Sequence, residues 1–186
     1  MNFDHRLFES IADILSQVSE SQIVHVTDEI CSAPHIAVYG AGREGLVMRG
    51  FAMRLYHLGL NVSVVGEMVC QPINPGDCFL ASVGPGWLAT VEALTTRAVA
   101  AGGTGTLVTS EASSVRVWVP EGVNILEIRG RTMSHTPQGE RDQVGLPLGS
   151  QFEMLLWILC DLLIDRVMKK LPNRALQMTN RHTNLE

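Results

Sequence analysis

The chain has no C-x-x-C pair, no basic cluster, no long apolar run and no internal repeat, and each absence removes a class of function. Its cysteines, Cys31, Cys70, Cys78 and Cys160, stand apart. Zinc or dithiol chemistry is therefore not expected, and a reduced cytoplasmic setting is. The net charge is −5 and no stretch is basic, which argues against nucleic acid as a partner. The chain opens on the charged residues Asp4, His5 and Arg6 without a long apolar core, so no secretory leader is expected. In the apolar late segment the longest uncharged run, Met154 to Cys160, is too short to cross a bilayer, so no membrane partner is expected. His5, His25, His35, His57 and His135 show no ligand spacing, and neither a metal nor another cofactor is expected.

What is present is a globular composition: 186 residues, 46% hydrophobic and 18% charged, enough for one α/β domain with a sizeable core. Periodicity predicts helices over about 4–19 and 21–31, the second opened by Ser21. Strands are predicted at 35–39, 61–65, 77–82 and 104–109, with helices at 44–59 and about 87–101 between them. Residues 115–119 and 123–126 read as one or two further strands, 129–144 as a polar loop, and 147–170 as a long helix that Leu171-Pro172-Asn173 ends. Strands alternating with helices imply a parallel sheet covered on both faces, with ligands at the carboxyl ends of its strands.

One such end carries Gly40-Ala41-Gly42-Arg43-Glu44-Gly45, between an apolar strand and an amphipathic helix. Glycines there let backbone approach a ligand, and the helix start turns N–H groups and a positive dipole end towards it. The spacing fits the G-x-G-x-x-G dinucleotide pattern through Gly45, and Glu67 follows the second strand roughly 20 residues on, where that pattern places a ribose-binding acid. A purely structural turn fits as well. An anion-receiving turn that carries its own anion, Glu44, is a contradiction that either reading must resolve.

Gly40-Ala41-Gly42-Arg43, Phe51-Ala52-Met53-Arg54-Leu55-Tyr56-His57-Leu58-Gly59 and Val65-Gly66-Glu67 resemble the sugar isomerase (SIS) domain family, in particular its 6-phospho-3-hexuloisomerase branch. The resemblance continues through Pro147-Leu148-Gly149-Ser150-Gln151-Phe152-Glu153 to Arg181-His182-Thr183-Asn184-Leu185-Glu186, and so spans nearly the whole chain. It implies one flavodoxin-like domain over 1–186, a three-layer αβα sandwich around a five-stranded parallel sheet. Residues 1–31 would form leading helices, and 147–186 a helix and tail that complete a shared site. It also implies a homotetramer, a small-molecule sugar or sugar derivative as ligand, and metal-independent isomerisation.

The likeness breaks where the family holds phosphate. The first family loop has serine where this chain has Glu44. The second reads Ser-Gly-Ser-Gly-Glu-Thr, against Val83-Gly84-Pro85-Gly86-Trp87-Leu88 here. Both serines and the threonine are gone, and Pro85 also removes a backbone donor. Ser82 falls one place before the first family serine and is no obvious substitute. Three lost hydrogen bonds to a charged group correspond to about 5–9 kcal/mol. A carboxylate near the phosphate adds about 4 kcal/mol of repulsion at 4 Å and an effective dielectric near 20. A helix N-terminus offsets only about 0.3–2 kcal/mol. Glu44 also reads simply as a first-turn acid complementing the helix dipole. Under both readings an ordinary phosphosugar is expected to bind poorly in the family's pose. The ligand positions expected from the resemblance are Gly40, Gly42, Glu44, Gly45, Glu67, Gly84, Gly86 and Trp87, the tryptophan either stacking on a sugar or filling space.

The catalytic half is better matched. Isomerisation through an enediol needs a base beside the substrate carbons, a group moving hydroxyl protons, and positive charge facing the enediolate. By resemblance these are Glu153, His182 and Arg43. Each also has a plainer reading. Ser150-Gln151-Phe152-Glu153 fits a capping box, Arg43 could pair with Glu44 or Glu67, and His182 could be an exposed tail residue. A non-catalytic SIS module binding a carbohydrate derivative, and a phosphohexuloisomerase with a rearranged phosphate site, remain the alternatives.

Overall fold

In the computed structural model, residues 5–135, 146–147 and 149–185 are described. Helices α1 (His5–Ser16) and α2 (Glu20–Ser32) lead into strand β1 (Ile36–Tyr39), helix α3 (Gly42–His57) and strand β2 (Val62–Val64). Strand β3 (Cys78–Ser82), helix α4 (Ala89–Ala100), strand β4 (Thr104–Thr109), helix α5 (Ala112–Val115) and strand β5 (Asn124–Glu127) follow. A 3-10 turn at Met133–His135, helix α6 (Ser150–Lys170) and a short tail with helix α7 (Pro172–Ala175) complete the chain. Most of the expected polar loop, 136–144, lies outside the described residues, as do Asp4, Leu148 and Glu186.

The five strands form one parallel sheet in the order β2-β1-β3-β4-β5. Alternate side chains feed two cores. Ile36, Val38, Leu80, Val108 and Leu126 pack with buried residues of α1, α2, α3 and α6. Ala37, Phe79, Ala81, Leu107 and Ile125 pack with those of α4 and α5 on the opposite face. Burial on both faces is why β1 and β3 read as continuous apolar runs rather than alternating ones. The result is the three-layer α/β sandwich that the sequence implied.

Two local expectations are corrected. Residues 115–119 form no strand: Ala112 and Val115, three apart on α5, turn into the core while Val117 stays in solvent. A period-two apolar pattern therefore arose on a helical turn and the loop after it, where Trp118 Nε1 donates to the Gly86 carbonyl at 2.9 Å. Helix α2 is capped by Ser19, whose Oγ accepts from Gln22 N at 3.5 Å; Ser21 lies inside the first turn.

The strand order reverses between β1 and β3. The chain leaves β1 towards one edge and β3 towards the other, so the loops after Tyr39 and Ser82 diverge and open a crevice.

Candidate active site

The first turns of α3 and α6 meet at that crevice and line one cavity of about 230 Å³. Arg43 and Glu44 come from α3, Phe152 and Glu153 from α6, Pro85 and Leu88 from the turn after β3, and Thr132 and Met133 from beyond β5. A hollow of about 250 Å³ beside α1 and α2 holds none of these groups. Among the described residues no group of three His, Cys, Asp or Glu side chains could hold a metal ion.

The strand that ends at Glu127 delivers the chain to the start of α6 and fixes it there. Gln151 Oε1 accepts from Arg131 N at 2.9 Å, and Phe152 N donates to the Arg131 carbonyl at 3.3 Å. The capping box does not form. Gly149, not Ser150, is the capping residue, with φ at +76°, and Ser150 Oγ instead donates to the Pro147 carbonyl at 2.6 Å. A side chain at position 149 would be strained by that φ and would lie 2.9 Å from Met133 N. Freed from capping, Glu153 turns towards α3.

There Glu153 Oε2 lies 2.8 Å from Arg43 Nε. The same oxygen is buried and accepts no hydrogen bond among the described residues, so the contact is one of charge without donor alignment. Burial pushes the Glu153 carboxyl above its ordinary range, and the Arg43 charge opposes the shift. Arg43 itself is largely exposed. Of its expected alternative partners, Glu67 pairs with Arg49 beyond β2, and Glu44 is engaged elsewhere. A basic carboxylate oxygen with no donor on it among the described residues, next to a guanidinium, suits removal of a proton and stabilisation of the anion left behind.

Glu44 does more than complement the dipole of α3. Its Oε2 accepts from Ser82 Oγ at 2.5 Å and from Gly84 N at 3.0 Å, so the carboxylate of one loop occupies the turn of the other. Burial raises its pKa, the two donors oppose that, and the negative charge of Glu153 adds to the rise. The sign can be tested. A carboxyl whose folded value is raised contributes stability that is present below the unfolded value and lost as pH climbs through the folded one. Glu44→Gln keeps an acceptor for both donors and removes the charge. It is expected to raise Tm at pH 7.5 and to leave Tm near the wild-type value at pH 4, by scanning calorimetry. A variant less stable at pH 7.5 would mean that the two donors outweigh burial.

The expected ligand positions divide. Gly42, Arg43, Glu44 and Glu153 line the cavity. Gly40, Gly45 and Gly84 stand behind it: a Cβ at Gly84 would lie 2.7 Å from Glu44 Oε1 and 2.8 Å from the Phe152 ring. Gly86 carries the hydrogen bond from Trp118, away from the lining. Trp87 precedes α4, is half exposed, and donates to Glu92 Oε2 at 2.7 Å outside the cavity. His182 lies 5.2 Å, ring to ring, from His57 at the far end of α3, about 20 Å along a helix of that length. Burial and the charges of His182 and Arg54 hold the His57 imidazole below its usual range. Sequence position alone does not reveal Ser82 or Phe152. The only hints are that Ser82 directly precedes the second loop and that Phe152 sits within the quoted α6 motif.

No family model matches this chain. It is 29% identical to the 3-hexulose-6-phosphate isomerase of Mycobacterium gastri over 178 residues, covering 96% of this chain and 87% of that protein. It is 30% identical to an uncharacterized protein of Archaeoglobus fulgidus over 181 residues, covering 96% and 95% respectively. A crystal structure of a hypothetical protein from Methanococcus jannaschii, from which a molecular function of 3-hexulose-6-phosphate isomerase was inferred, superposes with a TM-score of 0.73. It is 25% identical, over 90% of this chain and 87% of that one.

Proposed function

This chain belongs to the sugar isomerase (SIS) domain family, near its phosphohexuloisomerase branch, and from that premise we propose that it isomerises a sugar or sugar derivative through an enediol without the usual phosphate anchor. The observation that carries the reading is Glu153, a buried carboxylate oxygen on the cavity wall with a raised pKa and no hydrogen bond among the described residues, beside Arg43. Glu153 takes the proton from the carbon next to the substrate carbonyl, and the electron pair moves onto the carbonyl oxygen. Arg43 faces the resulting enediolate. The hydroxyl proton on the neighbouring carbon's oxygen passes to the former carbonyl oxygen, the abstracted proton returns to the former carbonyl carbon, and the second carbonyl forms, so the step is redox-neutral. The absence of the anchor rests on Val83, Pro85 and Leu88 and on the engagement of Ser82 and Gly84 by Glu44.

The test is proton NMR in heavy water with phosphorylated and unphosphorylated ketoses, following deuterium entry beside the carbonyl. Exchange with an unphosphorylated sugar supports both halves of the proposal. Exchange only with a hexulose phosphate favours the activity that the relatives' names carry and removes the second half. Exchange with none favours a binding module.

The reading extends to a homotetramer with shared sites in a cytoplasmic setting. Leu46 and Met53 of α3 and Trp157 of α6 are exposed apolar side chains, and Trp157 lies over Gly50, which supports this face as the one that meets a second copy. His182, remote from the cavity of its own subunit, then serves a neighbour's. Glu153→Gln and His182→Ala chains are each expected to be inactive alone, and mixed assemblies to regain about a quarter of wild-type exchange, the random share of sites that draw one intact residue from each chain. No recovery on mixing would place both residues in one subunit's site or remove His182 from the chemistry.

A further inference from the structure

We infer that Glu44 is this chain's own occupant of the anion-receiving turn after β3. The site thereby selects a ligand whose group at that end donates hydrogen bonds and carries no negative charge, a hydroxymethyl or amino group rather than a phosphate. The inference rests on the proposed sugar site for the class of ligand, and on geometry for the rest.

The turn's donors can be counted. Val83 N donates to the Val108 carbonyl at 2.9 Å, continuing the sheet, and Gly86 N donates to the Val83 carbonyl at 2.9 Å, closing the turn. Pro85 has no N–H. Gly84 N and Ser82 Oγ both go to Glu44 Oε2. From Val83 to Gly86 no backbone donor is left for an incoming anion, and the Ser82 hydroxyl is taken as well. The geometry is that of a bound oxyanion, supplied by the protein itself across a gap of about forty residues in sequence.

Charge points the same way. The ionisable groups lining the cavity among the described residues are Arg43, Glu44 and Glu153. Arg43 is held by Glu153, and no described cation lies within 4 Å of Glu44. A phosphate dianion entering here meets two carboxylates and one guanidinium already paired. Glu44 Oε1, by contrast, accepts no hydrogen bond from a described residue, while Oε2 takes both donors. A hydroxyl or ammonium group of the ligand can donate to that oxygen, and Pro85 and Leu88, which line the same cavity, add no charge. Glu44 is thus a specificity-determining residue whose removal uncovers a latent phosphate site.

The test is calorimetric titration of the full chain at pH 7.5 with inorganic phosphate, D-fructose 6-phosphate, D-fructose and 6-amino-6-deoxy-D-fructose. Wild type is expected to bind both phosphates more weakly than the two uncharged-end or amino-end sugars. Glu44→Ser frees two donors and deletes the charge; its affinity for inorganic phosphate and fructose 6-phosphate is expected to rise at least about 100-fold. Glu44→Gln, which keeps the side chain in place and removes only the charge, is expected to gain at least about 10-fold for fructose 6-phosphate, and decides the matter should Glu44→Ser fail to fold. A wild type that prefers the phosphates, or a folded Glu44→Ser with no gain, overturns the inference. The readout is binding, so absence of deuterium exchange in wild type defeats the isomerase reading without touching this one. Tight binding and exchange of a hexulose phosphate with Glu44 in place defeats this one and leaves the isomerase standing.

Discussion

Glu153→Gln is expected to slow deuterium entry by about 10²–10⁴-fold, the contribution typical of a positioned general base, while ligand affinity changes little. Glutamine has the same length and still offers an oxygen to the cavity, so the walls formed by Phe152, Pro85 and Leu88 stay in place. What disappears is the carboxylate proposed to accept the carbon-bound proton. The wild-type pH profile should carry the same residue. Burial raises the Glu153 carboxyl, so exchange should climb with pH through a midpoint above the ordinary glutamate range, and that limb should vanish in the variant. Exchange rates measured by NMR between pH 4 and 8, with affinities by calorimetry, separate the outcomes. Retained exchange removes Glu153 from the chemistry. Loss of exchange together with loss of binding makes Glu153 a positioning residue that holds Arg43.

Gly45→Ala should lower stability by about 2–3 kcal/mol, although helix propensity alone predicts a gain of about 1 kcal/mol. Position 45 lies in the first turn of α3 with an ordinary helical backbone. A Cβ there would stand 2.5 Å from the Gly40 carbonyl oxygen and 3.2 Å from its carbon. Both are backbone atoms, so neither can turn aside. The loop must move, and with it the Arg43–Glu44 edge of the cavity. At about 2–4 °C per kcal/mol for a chain of this size, Tm should fall by roughly 4–12 °C. Gly42→Ala is the contrasting case. Its φ is +55°, but nothing lies within 4 Å of its Cβ, so only the conformational cost of about 1–2 kcal/mol applies. If Gly45→Ala proves as stable as wild type, the close approach of loop and helix is not what requires glycine there.

The strands show what was legible from sequence. Residues 36–39 and 78–82 lie in apolar runs buried on both faces, and the run itself signals that environment. Residues 115–119 show its limit, since a period of two apolar positions can also straddle a short helix and the turn that ends it. For the site, the glycine turn after β1 and the motif before Phe152 were visible because they are local. The partners were not. Ser150-Gln151-Phe152-Glu153 spells a capping box, and only Gly149 in a left-handed conformation, with the Pro147 carbonyl accepting from Ser150, releases Glu153 towards Arg43.

By itself, then, the sequence determined the parallel α/β sandwich and the crevice at its strand ends, because both follow from short-range spacing, while the departure from the SIS loop at Glu44, Val83, Pro85 and Leu88 is what the resemblance implies. Tertiary structure alone decided that Glu44 fills the vacated turn, that Glu153 faces Arg43, and that His182 lies at the far end of α3. Those contacts join residues scores of positions apart. They depend on which loops the strand order brings together, and no local pattern encodes that.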